Sequence, residues 1–205
     1  MRNRYKIVLG LAVVFVACVA AMTAHAEQRG EEEVALPFRI YTDATAPDNN
    51  FAPSGWMGDS GDLQIDDADL DNPHSGGTSL RIDYSAKKSD KKGWSGIYWQ
   101  YPPDNWGTRE EGFDLTGAKR LVFWARGARG GEKIDKFGVG GIKGEFSDSA
   151  KVESRSVTLS DKWQRYYINL QNQDLRHIIG GFFVTFNAKS NRGGLTMYLD
   201  DIYFE

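Results

Sequence analysis

Cysteine is almost absent from this chain: Cys18 is the single one in 205 residues, and it lies within an apolar N-terminal run. With that run removed, neither a disulfide framework nor a thiolate nucleophile is available, and stability must come from a packed core. Histidine is scarce too, limited to His25, His74 and His177. His74 and His177 are far apart and in no metal-ligand spacing. No segment shows a long helical period bounded by caps, and there is neither a repeat of fixed period nor a low-complexity tract. No serine stands in a nucleophile-elbow motif. The stretch from Gly138 to Gly144 has glycines and Lys143 but lacks the Gly-Lys-Ser/Thr ending and the helix of a phosphate loop, so it reads as a glycine-weakened strand or bulge.

The chain starts with a basic segment containing Arg2, Arg4 and Lys6, followed by an apolar run from Ile7 to Val19 and a small-residue cleavage site, Ala24-His25-Ala26. This pattern predicts an export signal over 1–26, cleaved after Ala26, and a secreted or periplasmic product. The run is short for a stable membrane span, so no span is expected after cleavage. Cys18 sits where a bacterial lipoprotein cysteine could be, but Phe15 is a poor match to the aliphatic residue usual three positions before it. Removing the three signal cations from the 25 Lys and Arg leaves 22 against 28 Asp and Glu, a formal net charge of −6, which disfavours nucleic acid as a partner. Residues 27–35 are polar and acid-rich and read as a flexible leader. Residues 36–205 suit one domain with a substantial core, and the expected state is a monomer.

From Leu36 onward the pattern is one of short strands. Leu80, Ile82 and Tyr84 alternate with Arg81 and Asp83; Leu121, Phe123 and Ala125 alternate with Trp124 and Arg126; Tyr166, Ile168 and Leu170 alternate with Arg165, Tyr167 and Asn169. Further strands are expected over 38–41, 62–65, 135–142, 153–159, 178–187 and 195–204. Residues 46–59 and 71–77, rich in Pro, Asn, Gly and Asp, read as loops. About ten regularly spaced strands indicate an all-β fold, a sandwich or a barrel.

The most aromatic stretch runs from Gly93 to Gly107 and holds Trp94, Trp99 and Trp106 with Tyr98 and Tyr101. Ile97, Trp99 and Tyr101 share one face of a strand that the Pro102-Pro103 pair ends; Tyr98 and Gln100 share the other. Taking the most apolar register of each strand as inward leaves Tyr98, Gln100, Trp124, Arg126, Arg165, Tyr167, Thr185 and Asn187 pointing away from the core. On neighbouring strands they would form a shallow groove, with rings for the CH faces of sugars and polar groups for hydroxyls. Tyr98, Trp124 and Tyr167 would be the platforms, Gln100, Arg126 and Arg165 the hydrogen-bonding groups, and Trp106 would close one end. The alternative is that loops cover this face and the aromatics pack internally.

The segment Asn72-Pro73-His74-Ser75-Gly76-Gly77-Thr78-Ser79-Leu80-Arg81-Ile82, together with Phe123-Trp124-Ala125-Arg126-Gly127, Trp163-Gln164-Arg165-Tyr166 and the final Tyr198-Leu199-Asp200-Asp201-Ile202, resembles the galactose-binding-like carbohydrate-binding modules, nearest the β-glucan-binding family 11. Each motif is weak alone, but they run in order through nearly the whole chain after the signal. The resemblance implies a two-sheet antiparallel jelly-roll β-sandwich, with one concave sheet binding a polysaccharide or oligosaccharide. It also implies a structural calcium ion, falling first on Asp200 and then on Asp43, with main-chain carbonyls around His74 to Thr78 completing its shell. The other reading of Asp200-Asp201 is a strand end or bulge.

Such modules are not enzymes, and none is expected here. Paired carboxylates alone can hydrolyse glycosides, so Glu110, Glu111, Asp114, Glu145 and Asp148 are the residues on which a polysaccharide-cleaving reading would rest. An exported structural or protein-interaction domain of the same fold is the remaining alternative.

Overall fold

A computed structural model describes residues 34–205; the expected signal over 1–26 and the leader up to residue 33 lie outside the described residues. In chain order the strands are β1 (Phe38–Tyr41), β2 (Ala52–Gly58), β3 (Leu63–Asp69), β4 (Ser79–Tyr84), β5 (Trp94–Gln100), β6 (Arg120–Gly127), β7 (Lys133–Ile134), β8 (Lys136–Gly140), β9 (Lys151–Glu153), β10 (Val157–Thr158), β11 (Gln164–Asn169), β12 (Gly180–Asn187) and β13 (Leu195–Phe204). They form an all-β antiparallel sandwich of the jelly-roll class. One sheet has the order β11-β6-β13-β4-β3, with β1 against the end of β13, and the other has the order β2-β5-β12-β8-β9. A short β10-β7 ribbon stands beside them.

The alternation in the sequence drives this layering. Ile97 and Trp99 of β5, Phe182, Val184 and Phe186 of β12 and Phe137 of β8 face Leu121, Phe123 and Ala125 of β6 and Met197 and Leu199 of β13 in one core. Aromatic rings bridge the two sheets: Phe123 lies 4.7 Å from Phe137 and 5.3 Å from Phe182, which within its own sheet lies 5.3 Å from Trp99. Rings bury the largest apolar areas of any side chains, and this cluster substitutes for the missing disulfides.

Two expectations over the chain need correction. Residues 46–59, read as a loop, contain β2. It pairs with β5 alone at the sheet's edge, with a register shift between Pro53 and Gly55. An edge strand needs only half of its N–H groups in the ladder, so it tolerates the Pro and Gly that mask it in the sequence. The single strand expected over 153–159 is two pieces: β9 joins β8, whereas β10 joins β7. The register shift in β13 between Asp200 and Tyr203, with Asp201 at φ 46°, is the bulge that the paired acids allowed as an alternative.

Phe182 is fully buried at the meeting point of the ring cluster. Phe182→Ala is expected to lower unfolding free energy by about 3–5 kcal/mol, read from urea denaturation of the purified domain.

Candidate functional site

β5 is central in its sheet, so its outer face is built jointly with β2 and β12. Cross-strand partners share a face, which groups Met57, Gly96 and Thr185 in one row, Tyr98 and Phe183 in the next, and Trp94 with Asn187 at the end. β8 continues these rows with Lys136 beside Thr185 and Gly138 beside Phe183, and β9 adds Glu153 beside Gly138. The glycines keep the middle low. A Cβ on Gly138 would stand 2.2 Å from the Phe183 ring, and one on Gly96 2.9 Å from both Met57 and Thr185, so neighbouring side chains lie flat across both positions. Trp94 rises at one end with 39% exposure, about 13 Å along the strand from Tyr98 at ~3.3 Å per residue.

At the other end the floor is covered. Tyr98 is buried, its hydroxyl donates to the Gly140 carbonyl at 3.0 Å, and its ring meets Phe183 at 4.7 Å and the edge of Trp106 at 5.9 Å. Burial, with the nearby charges of Asp148 and Glu153, pushes its phenol well above the ordinary tyrosine range. Trp106, 39% exposed, therefore presents the accessible aromatic surface that Tyr98 supports from below.

The loop carrying Trp106 is held by buried polar side chains. Asn105 Oδ1 accepts the N–H groups of Gly107, Thr108 and Arg109, and its Nδ2 donates to the carbonyls of Arg109 and Glu111. Gln100 is 0% exposed: Nε2 donates to the Asn105 carbonyl and Oε1 accepts from Ser54. The facing 141–149 loop hangs on Asp148, whose carboxylate accepts N–H bonds from Ile142, Ile179 and Gly180. Desolvation raises the Asp148 carboxyl despite those three donors. Its oxygens are committed to these loops, which removes it from the acids a hydrolytic reading could use.

The expected groove residues do not share one surface. Tyr98, Gln100 and Trp106, with Thr185 and Asn187, belong to the β5–β12 sheet; Trp124, Arg126, Arg165 and Tyr167 sit on the outer face of the opposite sheet, with Arg165 opposite Trp124 on the paired strands β11 and β6. Period-2 alternation identifies the outward face of each strand but not the sheet that the strand joins. Three residues expected on the open face are also covered. Tyr98 and Gln100 lie beneath loops, and Arg126 is buried under the segment from Asp71 to Ser75. The Arg126 guanidinium stacks 3.7 Å over the Tyr198 ring and donates to the Asp71 carbonyl at 2.7 Å. His74 stacks on Trp124 at 3.8 Å, and the Trp163 indole N–H donates to the Asn72 carbonyl at 2.8 Å, so this strap is fixed along its length. Arg165 is paired with Glu205, and Tyr167 is 62% exposed on the edge strand.

Trp94 is the member of the β5 face that the groove assignment omitted. Its signal was in the sequence, since the alternation through Tyr98 and Gln100 extends back through Gly96 to Trp94.

The carboxylates expected to share calcium are arranged differently. Asp43 Oδ1 accepts from the N–H groups of Gly77 and Thr78 and from the Thr78 hydroxyl; Asp200 Oδ2 accepts from the N–H groups of His74 and Ser75, and Oδ1 from that of Asp201. The loop thus turns N–H groups toward both acids, while no hydrogen bond among the described residues falls on Asp43 Oδ2. Among the described residues no group of three or more Asp, Glu, His or Cys converges as for a metal, so a calcium shell here would rest on these two carboxylates and main-chain carbonyls. The Gly77 N–H, with those of Thr78, holds the Asp43 carboxyl below the usual range, whereas burial pushes Asp200 up to about 6, helped by the charge of Asp201.

The fold is that of β-sandwich carbohydrate-binding modules. The family 30 module of a cellulosomal cellulase of Clostridium thermocellum superposes with a TM-score of 0.57 at 18% identity over 83% of this chain and 98% of that one. The family 11 module from Clostridium thermocellum, solved with a β-1,3-1,4-mixed-linked tetrasaccharide, superposes with a TM-score of 0.52 at 16% identity over 83% and 96%. At these identities the likeness is one of fold. No protein-family model and no curated protein matches the sequence.

Asp200 supplies a test of the strap. Its native pKa of about 6 lies above the ordinary aspartate value of about 4, so the folded state holds the proton more tightly. Its contribution favours the folded state below about pH 4 and is lost as pH rises through about 6. Unfolding free energies of the wild type and Asp200→Asn are expected to show it as a wild-type advantage that shrinks across that window. The calcium that the resemblance implies is tested separately: EDTA is expected to lower the unfolding temperature if an ion binds this loop, and no change removes Asp200 from its ligands.

Proposed function

We propose that the protein is an exported, monomeric carbohydrate-binding domain. It holds a polysaccharide or oligosaccharide on the outer face of the β2-β5-β12-β8-β9 sheet, and the chemistry is recognition rather than cleavage. The observation that carries this reading is the pair Trp94 and Trp106, both partly exposed, at the two ends of a strip floored by Met57, Thr185 and Phe183, whose side chains lie over Gly96 and Gly138. Indole faces take the CH faces of pyranose rings, and the low middle lets a chain lie between them without displacing protein groups. Polar groups stand alongside for hydroxyls: Asn187, which donates to Asp135, Lys136, which donates to the Ser154 carbonyl, and the Lys151–Glu153 pair. Gln100 works indirectly by fixing the loop that presents Trp106, and Tyr98 works as the ring beneath it. The modules of similar fold support a β-linked glucan as the first ligand to try, since one of them was solved with a mixed-linked tetrasaccharide. Export would show as a mature chain beginning at Glu27.

The Trp94→Ala/Trp106→Ala double variant is expected to fold and to lose at least about tenfold in affinity for β-1,3-1,4-glucan oligosaccharides, with no new reducing ends from either protein. Unchanged affinity in the folded double variant rejects the strip, and product formation rejects the non-catalytic reading.

A further inference from the structure

The opposite sheet has a cavity of its own. It measures about 440 Å³ and is lined by Pro37, Arg39, Trp124, Asp201, Tyr203 and Glu205. That volume lies within the range of about 300–1,000 Å³ common for small-ligand sites. Its lining comes from three paired strands: Arg39 of β1 is the cross-strand partner of Tyr203 of β13, which pairs on its other side with Val122 of β6, two residues from Trp124. The walls are held in place. His74 covers one side of the Trp124 ring and is itself bonded to Asp201 at 2.7 Å; Arg120 and Arg165 fix Glu205 at 2.9 and 3.3 Å; Asp48 holds Arg39 at 2.7 Å. Such pairing leaves the groups oriented before any ligand arrives, which lowers the ordering cost of binding.

The lining indicates the ligand class. Beyond its bond to Asp48, Arg39 has further N–H donors, and the carboxylates of Asp201 and Glu205, bonded to His74, Ser75, Arg120 and Arg165, keep lone pairs to accept with, so neither an anion nor a cation gains from every wall. A ligand whose groups both donate and accept satisfies both signs, and vicinal hydroxyls do so. The Trp124 and Tyr203 rings add flat apolar surface. We infer that this cavity is a second sugar site, taking one or two neutral pyranose units, on the face opposite the Trp94–Trp106 strip. A single stiff chain cannot reach both faces of a sandwich whose sheets lie about 10 Å apart. Taken with the proposed strip, which this consequence rests on, the domain would gather two glycan strands.

The test is calorimetric titration of the folded domain with glucose, galactose, mannose, cellobiose and laminaribiose. The titrations are made in the Trp94→Ala/Trp106→Ala background, which removes the strip: at least one of these sugars is expected to bind it saturably, and adding Arg39→Ala or Tyr203→Ala is expected to weaken that binding at least tenfold. Arg39→Ala, at a partly exposed position, carries the test if Tyr203→Ala does not fold. No saturable binding of any of the five sugars by the Trp94→Ala/Trp106→Ala protein, or binding there that is untouched by adding Arg39→Ala, overturns the second site. The two readings fail separately: loss of binding to long glucans in the tryptophan double variant concerns the strip alone, and loss of small-sugar binding in Arg39→Ala concerns the cavity alone.

Discussion

The antiparallel pairing of β5 with β12 is the constraint on which the rest depends. Its register places Ile97 against Val184 in the core and, on the other face, Gly96 against Thr185 and Tyr98 against Phe183. A slip of one residue would send Ile97 and Trp99 to solvent and Trp94 to the interior, so burial of the inner face fixes what the outer face displays. Stability and display are consequences of one alternation. The register puts Trp94 at one end of the outer face, and the loop fixed by Asn105 and Gln100 puts Trp106 at the other.

Around this pairing, loops are held by buried and half-buried polar groups rather than by disulfides. Asn105 and Gln100 shape the loop that presents Trp106, Asp148 suspends the facing loop, and Asp43 with Asp200 ties down the strap that crosses the opposite sheet. Asp59 plays the same part for residues 90–93. Burial pushes its carboxyl up, but the N–H groups of Lys92, Gly93 and Asp90 and the Lys92 charge outweigh it, and the net shift is downward. A carboxylate that accepts several N–H bonds organises a loop whose own backbone would otherwise lack partners. Asp148, a cleavage candidate in the sequence, and Asp59, which the sequence did not single out, are both acids that build loops.

The strands with clear alternation were legible. β4, β6 and β13 lie within their expected ranges, and the fold class followed from them. β2 was not, because an edge strand carries Pro53 and two glycines without the usual cost. The candidate site was legible in its residue types and illegible in its assembly. Trp124 and Tyr98 both point away from the core, as their strands predicted, yet they face opposite directions because β6 and β5 belong to different sheets. Gln100 and Arg126 have the chemistry of ligand contacts and are spent on loop carbonyls and an aromatic face. That outcome depends on which loop folds over which strand, and such contacts span 55 residues in the pairing of Arg126 with Asp71.

The central claim is the location of a glycan on the β5–β12 face. Amide chemical-shift mapping of the labelled domain, titrated with the β-1,3-1,4-mixed-linked tetrasaccharide, tests it most directly. The account predicts shifts concentrated at Trp94, Gly96, Thr185, Asn187 and the Trp106 indole. Shifts confined to β6 and β11, or none at saturating tetrasaccharide, would contradict it.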